Sequence, residues 1–396
     1  MQTPLFRFLM LFATASTLFL TGCNNDDNGG EPTCTDGIQN GTETGIDCGG
    51  SCPDACEEAP TCDDGVQNGD EEGVDCGGSC PGTCEEPVSP ELNGTISEDM
   101  ELDSLVAYQL TGRFSVEAGA TLTIPAGTVI TADVEGGDAT STFIEIKKGA
   151  SIDIQGTPDA PVIMTSAGET PGDWGGLVIA GNATTTEGVD ASAEVADVIY
   201  GGTDDADSSG NIDYLIINYA GARITTEAEY NGLTLYAVGS GTTIENIALL
   251  NGTDDGIEFF GGTVSVSNIY SENNEDDAVD WTEGWNGTLT NAYVVHTGDF
   301  STAVEADGEN KNPTLTNVTA VSTSTQEERI ALQFKKESGA TITGLSLTGY
   351  TTSVLMSDEG PLANVQIEGA DADPAETYDA ETTVDIEIFA WAGIGS

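Results

Sequence analysis

From about residue 93 onward, apolar and polar positions alternate in short runs of Val, Ile, Leu and Thr that end in Gly, Asn or Asp. No stretch there carries the three- and four-residue apolar spacing of an amphipathic helix, so the runs predict strands. The strands repeat. The segments TIENIALLNG, VSVSNIYSEN, TLTNAYVVHT, TLTNVTAVST and TITGLSLTGY align at a period of roughly 25 residues, which places Ile244, Val266, Leu289, Leu315 and Ile342 in one column. Asn246, Asn268, Asn291 and Asn317 form a second column, in which Gly344 takes the last place. Each of these strands is followed by another: DDGIEFF, DDAVDWT, STAVEAD, IALQFKK and TSVLMSD. Two-residue alternation puts Ile257, Val279, Val304, Leu332 and Val354 on one face, beside Phe259, Trp281, Ala306, Phe334 and Met356. It turns Glu258, Asp280, Glu305 and Gln333 to the other face.

A coil of this length cannot bury its apolar face alone and is stable only when stacked on its neighbours. Strands stacked in parallel, with an Asn ladder at a turn, predict an all-β protein, a right-handed parallel β-helix. Upstream, FSVEAGATLTIPAGT and IEIKKGASIDIQGT repeat the same logic one coil apart, which carries the helix over residues 96 to 396. The C-terminal stretch ADADPAETYDAETTVDIEIFAWAGIGS, acidic and then apolar, is expected to cap the last coil with a closing strand and a plug.

The chain opens differently. MQTPLFRFLMLFATASTLFL carries one cation, Arg7, and no acid, and runs into LTGC at residues 20 to 23. That is a secretory signal over residues 1 to 22 followed by a lipobox, with Cys23 as the lipidated first residue of the mature chain. Polar NNDDNGG follows at once, so residues 23 to 33 read as an acidic tether and not as the flank of a membrane span. Lipid chains contribute about 0.8 kcal/mol per buried methylene, enough for two or more of them to hold a protein on a bilayer. Loss of Arg7 leaves 8 Lys and Arg against 68 Asp and Glu, a formal charge of −60. Nucleic acid is excluded as a partner by that charge, and divalent cations or cationic ligands are favoured. The acids are interleaved with Val, Ile, Leu and Thr, which argues for a folded body over a disordered one.

Between the tether and the strands, one phrase is spelled twice: CTDGIQNGTETGIDCGGSCPDAC at residues 34 to 56 and CDDGVQNGDEEGVDCGGSCPGTC at residues 62 to 84, with a linker at 85 to 95. The cysteines, Cys34, Cys48, Cys52 and Cys56, then Cys62, Cys76, Cys80 and Cys84, stand at offsets of 0, 14, 18 and 22 in each copy. Units this small in an exported chain lack core enough to fold unaided, so two disulfides in each are expected, each contributing about 3 kcal/mol for a loop of about 15 residues. The spacing leaves three connectivities open in each unit. Acids and amides recur in register: Asp36, Asn40, Glu43 and Asp47 answer Asp64, Asn68, Glu71 and Asp75. Oxygen ligands alternating with glycines suit Ca²⁺, and the same residues also simply make turns.

The phrase resembles a short Cys-rich repeat that occurs as tandem spacers in bacterial surface proteins, which implies a stalk or display module. The openings around TLTIPAGTVI, then PGDWGGLVIAGNA, YGGTDDADSSGNIDYLIINYAG, NGLTLYAVGSGTTIENI, DDGIEFFGGTV and EDDAVDWTEGW, resemble a family of exported β-helix lipoproteins of Bacteroidota over roughly residues 95 to 345. The resemblance implies a pectate-lyase-like helix at the cell surface, for the most part without a characterised activity. CNNDDN after the signal is similar to the export signals that carry such lipoproteins to the outer face of the outer membrane.

Candidate chemistry centres on the acid column. Neighbouring coils stand about 4.8 Å apart, and two unit charges at that spacing repel by about 0.9 kcal/mol in water and about 3.5 kcal/mol at an effective dielectric of 20. Two oxygens each about 2.4 Å from a Ca²⁺ lie at most about 4.8 Å apart, so successive coils can share one ion. Asp255, Glu258, Asp277, Asp280 and Glu305, with Asp254 and Asp276 at the preceding turns, are the candidate ligands; an open, salt-screened acid face is the alternative. Asp204, Asp205 and Asp207 form a second acidic turn. The expected function is non-catalytic binding or display at the cell envelope, with a glycan or a surface protein as ligand. The competing reading is a Ca²⁺-assisted polysaccharide lyase whose base is Arg329, Lys335 or Lys336, or a glycosidase using Asp276, Asp277 and Asp280. His296 and the Lys147–Lys148 pair read as turn residues, Trp281 as core, and Trp174 and Trp285 as candidate sugar platforms.

Overall fold

The structure, a computed structural model, describes residues 34–35, 37–39, 41–44, 46–54, 62, 67, 71, 76–80, 89–133, 138–225, 228–358, 360–379 and 381–394. Cys23, Asp36, Asn40, Cys56, Asp64, Asn68, Asp75 and Cys84 lie outside the described residues. The chain divides into two units, Met1–Pro87 and Val88–Ser396.

In the first unit Cys34 is bonded to Cys52 and Cys62 to Cys80, and Cys48 and Cys76 are disulfide-bonded as well. The two copies thus share the first-to-third pairing that spacing alone left open. Asp47, in the left-handed region at φ 57°, accepts the Gly37 N–H on both carboxylate oxygens at 3.0 and 2.8 Å and fastens its own loop. Glu43 and Glu71 each place an oxygen 3.4 and 3.3 Å from a disulfide sulfur, of Cys52 and Cys80 respectively.

The second unit is a parallel β-helix. One face stacks Ile144–Ile146, Leu177–Ala180, Leu233–Tyr236, Ile257–Phe260, Val279–Thr282, Thr302–Ala306, Ile330–Phe334 and Thr352–Met356, each parallel to the next. This is the site sheet. The other two faces are the halves of longer strands, Gly210–Asn218, Thr243–Leu250, Ser265–Glu272, Thr288–His296, Thr314–Ser322 and Ala340–Thr348. The predicted columns are the observed register. Ile244 pairs with Val266, Val266 with Leu289, Leu289 with Leu315, and Leu315 with Ile342. On the site sheet Ile257 pairs with Val279 and Phe259 with Trp281. These residues form one continuous apolar core, and only Met356 at its far end is partly exposed.

Each long strand bends in its middle at a residue in the left-handed region: Asn246, Asn268, Asn291 and Asn317 at φ 55° to 59°, and Gly344 at φ 69°. That conformation costs most L-residues about 1–2 kcal/mol, and Asn tolerates it best after Gly. The Asn side chains recover part of the cost as a ladder, in which Asn268, Asn291 and Asn317 each donate Nδ2–H to Oδ1 of the preceding Asn at 2.9 Å, and Asn246 donates to Asp213 at 2.7 Å. The ladder is half-buried along a corner and not enclosed in the core.

Both ends differ from expectation. The first strand, Glu91–Ile96, already pairs with Ala107–Val116, so the helix begins inside the stretch read as a linker. At the far end Val365–Ile367 turns back antiparallel onto Ala370–Asp371, and the returning chain covers the last coil through Leu347 N–H to Tyr378 O at 2.8 Å. The apolar tail does not plug this end. Val384 and Phe389, with Ile386 and Trp391, lie along the side of the helix on Ile216, Ala248, Tyr270 and Tyr293, because those outward positions are apolar and need cover.

Several single residues also differ. His296 ends a strand and is buried, stacked on Phe300 at 3.8 Å, with Nδ1 bonded to Tyr350 Oη at 3.1 Å. Lys147 and Lys148 stand at the turn after Ile144–Ile146 as expected, but they are held in ion pairs with Glu117 and Asp190, both at 2.5 Å, and are not free in solvent. Trp174 and Trp285 are fully buried, their indole N–H groups donating to Asn218 O and Val264 O at 2.9 Å, so neither offers a sugar platform.

The ladder yields a discriminating pair of variants. Asn268→Gly loses both side-chain hydrogen bonds but keeps an unstrained left-handed residue; Asn268→Ala loses the bonds and adds the strain. Equilibrium unfolding in denaturant is expected to show the Ala variant less stable than the Gly variant by about 1 kcal/mol, and both less stable than the native chain.

Candidate acidic cleft on the site sheet

Parallel register stacks Glu258 beside Asp280, and the next coil continues with Glu305, which Gln333 follows. The turns leading into these strands bring Asp254 and Asp255, then Asp276 and Asp277, to the same edge. Loops from elsewhere add Glu194 and Glu229, and the nine carboxylates line one cleft of about 180 Å³. All five helix residues predicted as metal ligands are therefore brought together.

They do not form an open face. Asp254, Asp255, Asp277, Asp280 and Glu305 are each at most 9% exposed. Part of the arrangement is tied down by hydrogen bonds from coil to coil: Asp255 accepts the Asp277 N–H at 2.9 Å, and Asp277 accepts the N–H and hydroxyl of Thr302, both at 2.6 Å. Asn231 donates Nδ2–H to Glu258 at 2.7 Å, and Gln333 donates to Glu305 at 2.8 Å. Two cations touch the rim, Lys335 on Glu305 and Arg223 on Glu229. Asn231 is itself buried, and its Oδ1 has no hydrogen-bond partner.

Burial, and then mutual repulsion, drive these carboxyls toward their neutral forms. Asp280 is pushed up to about 7 by burial and by Glu305, with the Trp281 N–H pulling the other way. Asp254 is pushed up to about 10 by burial and by Glu229. Asp255, Glu258 and Asp277 are raised well above the usual carboxylate range by burial and by the acids beside them. For Glu305 burial also wins, against Lys335. On Lys335 burial favours loss of the proton, but Glu305, Asp280 and Asp277 outweigh it and raise its pKa.

A family model described as a pectate-lyase like beta helix domain matches residues 94–388. The chain belongs to this family. A search of curated proteins returned no match. In this pectate-lyase-like helix the three predicted bases do not converge on the cleft. Lys335 is ion-paired and kept protonated, Lys336 pairs with Asp307 at 2.8 Å, and Arg329 lies at the opposite end of Ile330–Phe334, bonded to the carbonyls of Gly349 and Gln326. Nor does the second acidic turn gather a site: Asp207 and Asp205 accept the N–H groups of Asn182 and Thr184 at 2.8 and 2.9 Å and anchor that chain segment.

Glu194, Glu229 and Asn231 were missed because they lie outside the repeat. A signal for them exists: Leu177 and Leu233 pair as neighbours in the site sheet yet stand about two ordinary periods apart along the chain, which announces an insertion.

The raised carboxyls set a pH dependence. A carboxyl whose pKa rises on folding stabilises the fold while protonated, so its contribution is full below the unfolded value of about 3.9 and is lost as pH climbs through the folded value. With divalent cations chelated, the melting temperature is expected to fall as pH rises from about 4 to 7 through Asp280, and onward toward 10 through Asp254. Asp280→Asn is expected to make the slope between about pH 4 and 7 shallower while the share from Asp254 and the other raised acids persists, as read by thermal melts across pH in chelator.

Proposed function

We propose that this protein is a lipoprotein of the bacterial cell surface, anchored to the outer membrane through Cys23 and carried on its two disulfide modules. Its β-helix binds a glycan or another surface molecule without transforming it. Ca²⁺ occupies the acidic cleft. The supporting observation for the ion is the donor set, nine carboxylates with only Lys335 and Arg223 against them among the described residues. One oxygen each from Asp255, Glu258 and Asp280 lies within 4.8 Å of the others, as do those of Asp255, Asp276 and Asp277. That is the span of two oxygens across one Ca²⁺ at about 2.4 Å each, and an all-oxygen set suits a hard cation. The cation would supply the charge that the buried acids lack, holding Asp255, Glu258 and Asp280 ionised and in place.

A binding role is favoured over a lyase because elimination needs a free base at the cleft, and Lys335 is engaged by Glu305 while Arg329 is turned to the carbonyls of Gly349 and Gln326. One observation favours hydrolysis as the second reading: Asp280, near 7, is poised as a general acid beside other carboxyls. Release of reducing ends from polysaccharides, abolished in Asp280→Asn, is the result that would establish it.

Calorimetric titration of chelator-stripped protein with Ca²⁺ is expected to show saturable binding and a raised melting temperature. Glu258→Gln with Asp280→Asn is expected to weaken that binding at least about tenfold, roughly 1.4 kcal/mol. Absence of binding at millimolar Ca²⁺ would sink the cation reading. For the anchor, Cys23→Ala is expected to move the protein from the membrane fraction to the soluble one.

A further inference from the structure

The three faces of the β-helix turn different chemistry outward. The site sheet carries the acid column. The second halves of the long strands carry Ala248, Tyr270 and Tyr293, which the C-terminal tail covers with Val384 and Phe389. The first halves, before the Asn corner, carry hydroxyls. Thr288 and Thr290 stand in register with Thr314 and Thr316, and these with Thr341 and Thr343. Ser267 pairs with Thr290, so Ser265 and Ser267 take the same two places one coil earlier. Between them Leu289, Leu315 and Ile342 point inward and are buried, while every one of the hydroxyl residues is at least partly exposed.

The outcome is a sheet of hydroxyls two columns wide and four coils long, repeating at about 4.8 Å from coil to coil and about 6.6 Å along each strand. The chain holds 68 Asp and Glu, yet none falls in these places. The array stops where the acids begin, at Thr243 and Glu245 in the coil before and at Asn211 and Asp213 in the one before that. It is also stiff. The backbone is held by parallel pairing on both sides, the β-branch of Thr restricts its χ1, and Thr343 Oγ1 donates to Thr316 Oγ1 at 3.5 Å. A surface ordered in advance loses little conformational freedom on binding.

These properties select the occupant. A charged partner finds nothing here to pair with, and a flexible chain gains nothing from a fixed repeat in two directions. What matches is a solid that is itself uncharged, periodic in two directions and made of hydroxyl donors and acceptors. Oxygens on the prism face of hexagonal ice repeat at distances close to these two. We propose that this Ser/Thr face binds ice, its hydroxyls hydrogen-bonding to waters of the lattice and the Thr methyls settling into the hollows between them. Bonds to ordered water are nearly as favourable as direct ones, and the array makes many at once. This face is separate from the acidic cleft and needs no cation.

Partition of the full chain into slowly growing ice, read against a bystander protein, tests the face, with grain growth in a polycrystalline ice film followed on the same samples. The native chain is expected to be retained in the ice and to slow grain growth. Thr290→Tyr with Thr316→Tyr is expected to lose both effects at an unchanged unfolding midpoint in denaturant. Glu245→Thr lengthens the array by one coil and is expected to raise the retained fraction at least about twofold. Exclusion of the native chain from ice, like the bystander, would overturn the proposal. So would retention that the Tyr pair leaves unchanged, a Glu245→Thr chain retained no better than the native one, or capture by crystalline chitin or cellulose in place of ice.

Discussion

Parallel stacking in register is the constraint on which the rest depends. Each coil lies about 4.8 Å above the last, so every residue is placed against its own counterpart and any chemistry written once is written as a column. Inside, this is favourable, since Ile244 over Val266 over Leu289 over Leu315 buries a continuous apolar rod and Phe259 meets Trp281. At the corner it is favourable again, because an amide can donate to the one below and accept from the one above, and the Asn ladder offsets a backbone conformation that would otherwise be costly. On the outer side of the site sheet the same rule works against the fold. Glu258 over Asp280, followed by Glu305, is a column of like charge.

The fold was legible for the same reason. A period of roughly 25 residues, with apolar positions alternating inside it, states the pairing partner of almost every strand in the second half of the chain, and the observed register follows it position by position. What escaped is what does not repeat. The small hairpin of Ala191–Ser192 and Ile199–Tyr200, the loop bearing Glu229 and Asn231, and the C-terminal tail have no counterpart in a neighbouring coil, so no column announces them. His296 shows the same limit at the scale of one side chain: its place at the end of a strand was written in the period, but its burial depends on Phe300 and on Tyr350 from a coil further along.

The site was half legible. Alternation gave the acid column and its turn acids, but burial cannot be read from one strand, because non-repeating segments, those bearing Glu194 and Glu229, line the cleft with it. That difference decides the chemistry. An exposed column would be screened within a Debye length of about 8 Å at physiological salt and would hold its charge at little cost. A walled one must take up protons or a cation, which is why Asp280 and Asp254 are pushed up to about 7 and about 10. Nor does spacing warn that Lys335 and Arg329, flanking opposite ends of Ile330–Phe334, serve different partners.

The formal charge of −59 and the cleft are separate electrostatic problems. Among the described residues most acids are at least partly exposed, where salt screens them and their charge serves mainly to keep the body away from anionic surfaces. The cleft acids are shielded from salt by the walls that bury them, so ionic strength does little for them, and a monovalent ion brings only half the charge of a divalent one. Protons and divalent cations are then the two species able to relieve them, and they compete for the same oxygens. Near neutral pH the contest is close, because Asp280 titrates there. Relief of that repulsion is therefore a choice between protons and divalent charge, and Glu194, from a segment outside the repeat, adds one more carboxyl to the same cleft.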